Sequence, residues 1–504
     1  MTPGLSPSDR QLIPPLRTST RVRRSWDHGI PPVFRPLVRA YLLGYASAVA
    51  PRLLTLLLQH LTRRRVSQDG DKPHQSPSRS KSFITSLINI LRGGLDWQRF
   101  PTFCAVIVGG STLLQIPLKA AFDRLLKYLS DLTRKRLSRW FASFIAGWLS
   151  LQLLQSKESS GFTETVSSSS TSTKPPKTIN YAGRTLDLSL FALTRALDVI
   201  GGELWARRKA RRLSQGKHNW SPLEQAVSRL TDPAIFALSS GLIMWTWIYR
   251  PSRLPRAYNK WIGSAAAVDP RLIEALVRCR DGSLQYGRDI GQAPLLGGMC
   301  ADYGWPLDWG DPAKSIPFPC EIVHMGCGAN CEYHALSRFE RSFRWCMATY
   351  LPLNLLLAII RNPTRKSLAR AFASAARSSA FLGAFIALFY YGVCLTRTRV
   401  GPRVLGKHAG ARQTIDGGLC VGTGCLLCGW SIMIENAGRR KDVALFVAPR
   451  ALATLLPRRY GLDKQWRETF VFAFSTAVVF TCVLENKNRV RGVLGNVLHT
   501  VLNP

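Results

Sequence analysis

The densest chemistry in this 504-residue chain lies in PCEIVHMGCGANCEYH, residues 319–334. There Cys320, His324, Cys327, Cys331 and His334 fall within fifteen residues. Thiolates and imidazoles are soft ligands that can close a tetrahedral zinc site. The spacings C-x3-H, C-x3-C and C-x2-H match no standard finger, so zinc is one reading of three. Disulfides in an oxidising space are the second, and plain packed thiols the third.

A second set of chemical residues lies inside apolar segments. Arg195 and Arg450 sit inside otherwise apolar helical stretches at equivalent places. A charge there is costly and faces a bundle interior, a cavity or the interface, or else snorkels. Asp198, three residues after Arg195, is positioned to pair with it, whereas Ala453 leaves Arg450 to find Glu435 or a lipid headgroup. A third set is small: Gly418, Gly422, Gly424 and Gly429 in one half, and Ala142, Ala146 and Gly147 in the other. Small residues four apart let helix backbones approach closely where lipid removes the hydrophobic drive. The same face could alternatively serve self-association.

These residues need long apolar elements to hold them. Charge-free runs occupy 100–118, 140–156, 233–249, 345–360, 378–396, 417–434 and 469–484. Each approaches the roughly 20 residues a membrane-spanning helix requires. Between them lie the basic connectors: Lys+Arg total 68 against Asp+Glu 30, a formal charge of +38, while mean hydropathy is 0.00. Segregated apolar and basic blocks exclude an ordinary acidic enzyme and a disordered basic tail. A nucleic-acid partner is not expected, because the basic residues are spread between apolar segments.

The chain also repeats itself. LDLSLFALTRAL (186–197) aligns with KDVALFVAPRAL (441–452), sharing Asp187/Asp442, Leu190/Leu445, Phe191/Phe446, Arg195/Arg450, Ala196/Ala451 and Leu197/Leu452. Gly147-Trp148 answers Gly429-Trp430, and IFALSSG (235–241) answers VFAFSTA (471–477). The spacing between matches changes only where the first copy carries the Ser-rich stretch 156–182 and the basic stretch 206–218. The expected fold is an all-α integral membrane protein with two repeated four-helix transmembrane bundles and a Cys/His-rich polar connecting segment. Its parts are a disordered basic arm (1–35), an amphipathic or membrane helix (36–61) and a basic linker (62–99). The first repeat (100–250), the polar region (251–344), an apolar helix (345–361), the second repeat (370–490) and a tail (491–504) follow.

The stretches RAYLLGYASAVAPRLL, PCEIVHMGCGANCEYHALSRFERSFRW and YLPLNLLLAII…ALFYYGVCL resemble fungal members of the transmembrane protein 135 family. The repeats, around D-[VL]-x-L-F-x-x-x-R-A-L, resemble the four-helix unit of the inner-mitochondrial-membrane protein-translocase channel family. The resemblance implies a multi-span protein of peroxisomal or mitochondrial membranes, concerned with organelle dynamics or with fatty-acid and lipid handling. The duplication and the Cys-rich middle depart from the translocases and put protein import in doubt. No P-loop, dinucleotide fingerprint, H-E-x-x-H or nucleophile elbow is present, and the reading is non-enzymatic. No cofactor is expected beyond the zinc considered above. Anionic lipid headgroups at the basic loops are the expected partners, and a homo-oligomer is compatible with the small-residue faces. The competing functions are a channel or transporter built on the two repeats, and a membrane tether using the basic loops.

Overall fold

Apolar segments of this length satisfy their backbone groups internally only as helices, and the computed structural model is helical almost throughout. It describes residues 27, 29–66, 79–166, 177–215, 220–361, 363–486 and 489–502. Most of the basic arm, residues 67–78 of the basic linker, 167–176 of the Ser-rich stretch and the end of the basic stretch 206–218 lie outside them.

The first half runs α1 (Arg35–Val66), α2 (Arg79–Gly94), α3 (Phe100–Leu125), α4 (Asp131–Gln155), α5 (Leu186–Ser214) and α6 (Pro222–Tyr249). The connecting region holds α7 (Arg256–Ala266), α8 (Pro270–Asp281), α9 (Ala293–Tyr303) and the single turn α10 (Cys320–Val323). The second half runs α11 (Cys331–Arg361), α12 (Arg365–Leu395), α13 (Gly401–Val404), α14 (Ala409–Thr414), α15 (Cys420–Cys428), α16 (Ala437–Leu455), α17 (Gln465–Glu485) and α18 (Val493–Leu502). Local chemistry sets several of these starts. Ser130 caps α4 by accepting from Thr133 N, Ser221 and Glu224 form a capping box on α6, and Asp269 caps α8. The first helix runs through Pro51 as one element rather than stopping there, and the linker after it carries α2. The Ser-rich stretch is not loop throughout: β1 (Thr163–Val166) and β2 (Lys177–Asn180) pair as an antiparallel hairpin.

Among the described residues, six helical segments are long and apolar enough to cross a membrane: Arg35–Leu57, Phe100–Leu125, Cys331–Arg361, Arg365–Val404, Ala409–Ile434 and Leu462–Glu485. They mark a membrane-embedded protein. Their outward faces are apolar, as Leu353, Leu356, Leu357, Ile359 and Ile360 on α11 illustrate by being exposed. The helices α4, α5, α6 and α16 are not among the six. Charges explain this in part: α4 opens on DLTRKRLSR, and α5 carries Arg195 and Asp198 in its middle.

The packing does not close each half on itself. In the first half α3 packs on α4, and in the second α12 packs on α15. The last helix of each half then crosses over: α17 lies against α4 and α5, while α6 lies against α15 and α16. Before them, α1 packs on α3 and α11 on α12. The close approaches are made by small residues. A Cβ on Gly147 of α4 meets Ala473 Cα of α17 at 3.2 Å, and Gly429 sits against Ala237 and Ser240 of α6. Gly424 lies where a Cβ meets the Phe389 carbonyl oxygen at 2.7 Å. Ala142 and Ala146 are buried, with Ala146 against Gly110 of α3. Gly418 and Gly422 face Trp245.

The connecting region has its own core of Leu284, Leu296, Met299, Cys300, Phe318 and Ile322. It is fastened to the helices by a buried polar knot. Arg397 donates to both carboxylate oxygens of Asp416, at 2.7 and 2.9 Å, and to the Phe318 carbonyl at 3.2 Å. Tyr286 donates to the same carboxylate at 2.6 Å.

Candidate functional site

The Cys/His-rich segment brings three potential ligands together. The turn α10 places Cys320 and His324 one turn apart on one face, since residues four apart in a helix are neighbours. The backbone then reverses through Met325, Gly326 and Gly328, all at positive φ, so that Cys331 returns as the first residue of α11. The ligand atoms of Cys320, His324 and Cys331 lie within 4.8 Å of one another, a group that could hold a metal ion. His324 is fully buried, and its Nδ1 lies 2.6 Å from the Gly328 carbonyl oxygen. A carbonyl only accepts, so Nδ1 carries the proton and Nε2 presents a lone pair. Burial holds His324 below the usual imidazole range, against the pull of its Gly328 hydrogen bond, so the ring is neutral at neutral pH. Burial pushes the Cys320 thiol up to about 11. Nε2 faces the Cys394 sulfur at 3.3 Å, on the last turn of α12.

The other two residues of the dense run are elsewhere. Cys327 sits in the glycine turn, with its sulfur 3.5 Å from Ser337 Oγ, outside the group. His334 lies one turn into α11 and stacks face to face on His324, with ring centroids 4.3 Å apart. Its two ring nitrogens have no hydrogen-bond partner among the described residues. The disulfide alternative is not realised, as all twelve cysteines are free.

The second candidate site is a groove between α1, α3, α5, α17 and α18. It encloses about 350 Å³ and is walled by Leu43, Phe103, Ile107, Phe472, Phe480 and Leu498, among others. Arg195 is the single charged side chain lining it among the described residues and is only 6% exposed. The guanidinium lies 5.2 Å from the Phe191 ring centroid and donates to the Arg491 carbonyl at the outer limit of 3.5 Å. Its Nε has no partner among the described residues. Buried arginines are normally paired; here the carboxylates of Asp198 and Asp442 act on the guanidinium without an ion pair to either, and Nε keeps an unused donor at the wall of an apolar space.

Neither the pairing offered by local spacing, Arg195 with Asp198, nor the Glu435 alternative for Arg450 is made. Asp198 does not pair with Arg195; it accepts from Arg491 Nε at 2.9 Å, and Arg491 also reaches Asp232 at 3.4 Å. A partner from the loop before α18 reaches the carboxylate with a guanidinium fork, which the neighbour one turn away does not. Glu435 does not meet Arg450 either. It is buried, accepts from Ser378 Oγ at 2.5 Å and lies 3.7 Å from Arg439. Arg450 instead lies over Phe446, 3.7 Å from the ring centroid, and donates to the Phe446 carbonyl at 2.6 Å. The buried Arg397–Asp416 pair was not read from the sequence. The signal available was two charges flanking apolar runs, which reads as an ordinary helix boundary.

No family model matches the chain, and neither a curated protein nor a solved structure shows significant similarity to it.

Proposed function

We propose that this is a non-enzymatic, multi-span membrane protein that binds a single-chain anionic lipid in the α1/α3/α5/α17/α18 groove. One observation carries the reading: Arg195 is buried at an otherwise apolar cavity, with its Nε left without a hydrogen-bond partner among the described residues. An amphiphile with one carboxylate and one acyl chain complements that arrangement. The volume falls within the range of about 300–1,000 Å³ for small-molecule pockets. Arg195 lies near the Arg491 carbonyl, beyond the end of α17, which sets a headgroup level at one end of the groove.

The matched residues support a true duplication beneath this site. Gly147 meets Ala473, and its counterpart Gly429 meets Ala237, the counterpart of Ala473. Arg195 over Phe191 is likewise repeated by Arg450 over Phe446. In the second half, Ile262 and Ala266 of α7 share one apolar core with Phe389 and Ala451. This duplication favours a second reading, a transporter that moves the lipid between leaflets. The peroxisomal or mitochondrial setting rests on the family resemblance alone. Basic connectors held against anionic headgroups, and self-association, remain part of the reading. Zinc is the metal proposed for the Cys–His–Cys group, because thiolates and imidazole select it.

The test is photocrosslinking of the full-length protein in membranes with a clickable, diazirine-bearing fatty acid. Labelled peptides are expected from α1, α3 and α17, with Arg195→Leu lowering the yield roughly tenfold to a hundredfold and Arg195→Lys much less, as expected when a charge-assisted bond worth about 1.5–3 kcal/mol is lost. Equal labelling of Arg195→Leu, or equal competition by the uncharged fatty alcohol, overturns the reading. Lipid flip measured in proteoliposomes separates binding from transport.

A further inference from the structure

The Cys–His–Cys group has three ligands from one stretch of sequence and a fourth thiol from another. Cys394, on the last turn of α12, places its sulfur 3.3 Å from His324 Nε2, just outside the Cys320–His324–Cys331 group whose ligand atoms all lie within 4.8 Å of one another. Tetrahedral zinc with Zn–S near 2.3 Å and Zn–N near 2.0–2.1 Å separates its ligand atoms by about 3.5–3.8 Å. The 3.3 Å approach of Cys394 to His324 Nε2 is close to that spacing, and the other three ligand atoms lie within 4.8 Å of one another, so the four would draw inward around an ion. The supporting contact is also in place. A metal-bound histidine normally donates its second nitrogen to a carbonyl or carboxylate, as His324 Nδ1 does to Gly328.

We propose that Cys394 is the fourth ligand of a closed structural zinc site, Cys320–His324–Cys331–Cys394, which clamps the connecting region onto the adjoining ends of α11 and α12. The inference rests on the zinc reading of the Cys–His–Cys group. Four protein ligands leave no open position, so the ion holds structure and activates no water. On binding, the three thiols release their protons to solvent and the neutral imidazole gives its Nε2 lone pair. The ion sits in the same region as the Arg397–Asp416–Tyr286 knot, where Arg397 follows Cys394 by one turn of the chain. His334 covers the His324 ring face and is a shield, not a ligand.

The experiment uses full-length protein purified in detergent under reducing conditions, with zinc measured by mass spectrometry and by competition against a chromophoric chelator. About one zinc per chain is expected in the wild type, Cys327→Ser and His334→Phe. Cys394→Ser is expected to weaken retention by roughly tenfold or more, since even residues that only support a ligand are worth that much. Should Cys394→Ser fail to fold, Cys394→His keeps a ligand atom. Its cobalt-substituted form should then lose about a third of the thiolate-to-metal absorption, one sulfur of three. Zinc held at wild-type affinity by Cys394→Ser, or an unchanged cobalt spectrum in Cys394→His, overturns the fourth ligand while leaving the zinc reading intact. No zinc in the wild type after incubation with zinc chloride, or a Cys320–Cys331 disulfide in its place, overturns both.

Discussion

At the scale of residues, the costliest arrangement is the buried ion pair between Arg397 and Asp416, each about 5% exposed or less. Two charges taken out of water hold only because the guanidinium fork and the Tyr286 hydroxyl use both carboxylate oxygens. Arg397→Met alone should destabilise the protein by about 3–5 kcal/mol, because it strands Asp416. The double variant Arg397→Met/Asp416→Leu should recover most of that, as read by thermal unfolding in detergent. Equal loss in both would mean that the pair itself, not the stranded charge, stabilises the fold. Legibility at this scale follows sequence distance. Cys320, His324 and Cys331 were visible because they crowd one short stretch, but Cys394 lies in ALFYYGVCL, where a lone thiol reads as a small packed hydrophobe. The i,i+3 rule offered Arg195 to Asp198, and a bidentate partner from another element displaced it.

At the scale of elements, the glycines of α15 and the turn after it decide how near the helices come. Gly424→Ala puts a methyl 2.7 Å from the Phe389 carbonyl oxygen, a backbone atom that cannot swing aside. The expected loss is about 1–3 kcal/mol, seen as a lower melting temperature and a broadened gel-filtration peak. Gly263→Ala in α7 is the contrast: nothing lies within 4 Å of the added carbon, and helix propensity favours Ala by up to about 1 kcal/mol. The cap of α8 supplies a pH test. Hydrogen bonds from the Arg271 side chain hold Asp269 below the usual carboxylate range, and Arg271 is shared with Asp302. A lowered folded pKa gives stability that is present above about pH 4 and is lost as pH falls through the folded value. Asp269→Asn keeps the cap but not the charge, so its melting temperature should fall less than that of wild type below pH 4. Identical acid profiles would remove Asp269 from the account. Helix existence was plain from the apolar runs, since their length and lack of charge leave few alternatives. Their ends were less plain, because α1, α5 and α11 run on through Arg-rich or Cys-rich sequence whose polarity reads as loop.

At the scale of the whole molecule, apolar blocks and basic connectors read correctly as a membrane-embedded chain that is helical almost throughout its described residues. The partnering of those helices was not readable, because a repeat pattern specifies similar units without saying which copy supplies which helix. The crossing of α17 onto α4 and α5, and of α6 onto α15 and α16, has a consequence for synthesis. When α4 and α5 emerge from the ribosome, the helix that covers them is still about 300 residues away, a wait of roughly 15–60 s at 5–20 residues per second. For that interval the face of α4 at Gly147, which packs on Ala473 of α17, has no native cover, and an insertion factor or the lipid itself must guard it. A chain stopped after residue 361 should therefore be inserted but rapidly degraded. Co-expression of residues 362–504 as a separate piece should restore its half-life in a pulse–chase measurement, and a stable, long-lived truncated chain would show that the first half needs no such cover.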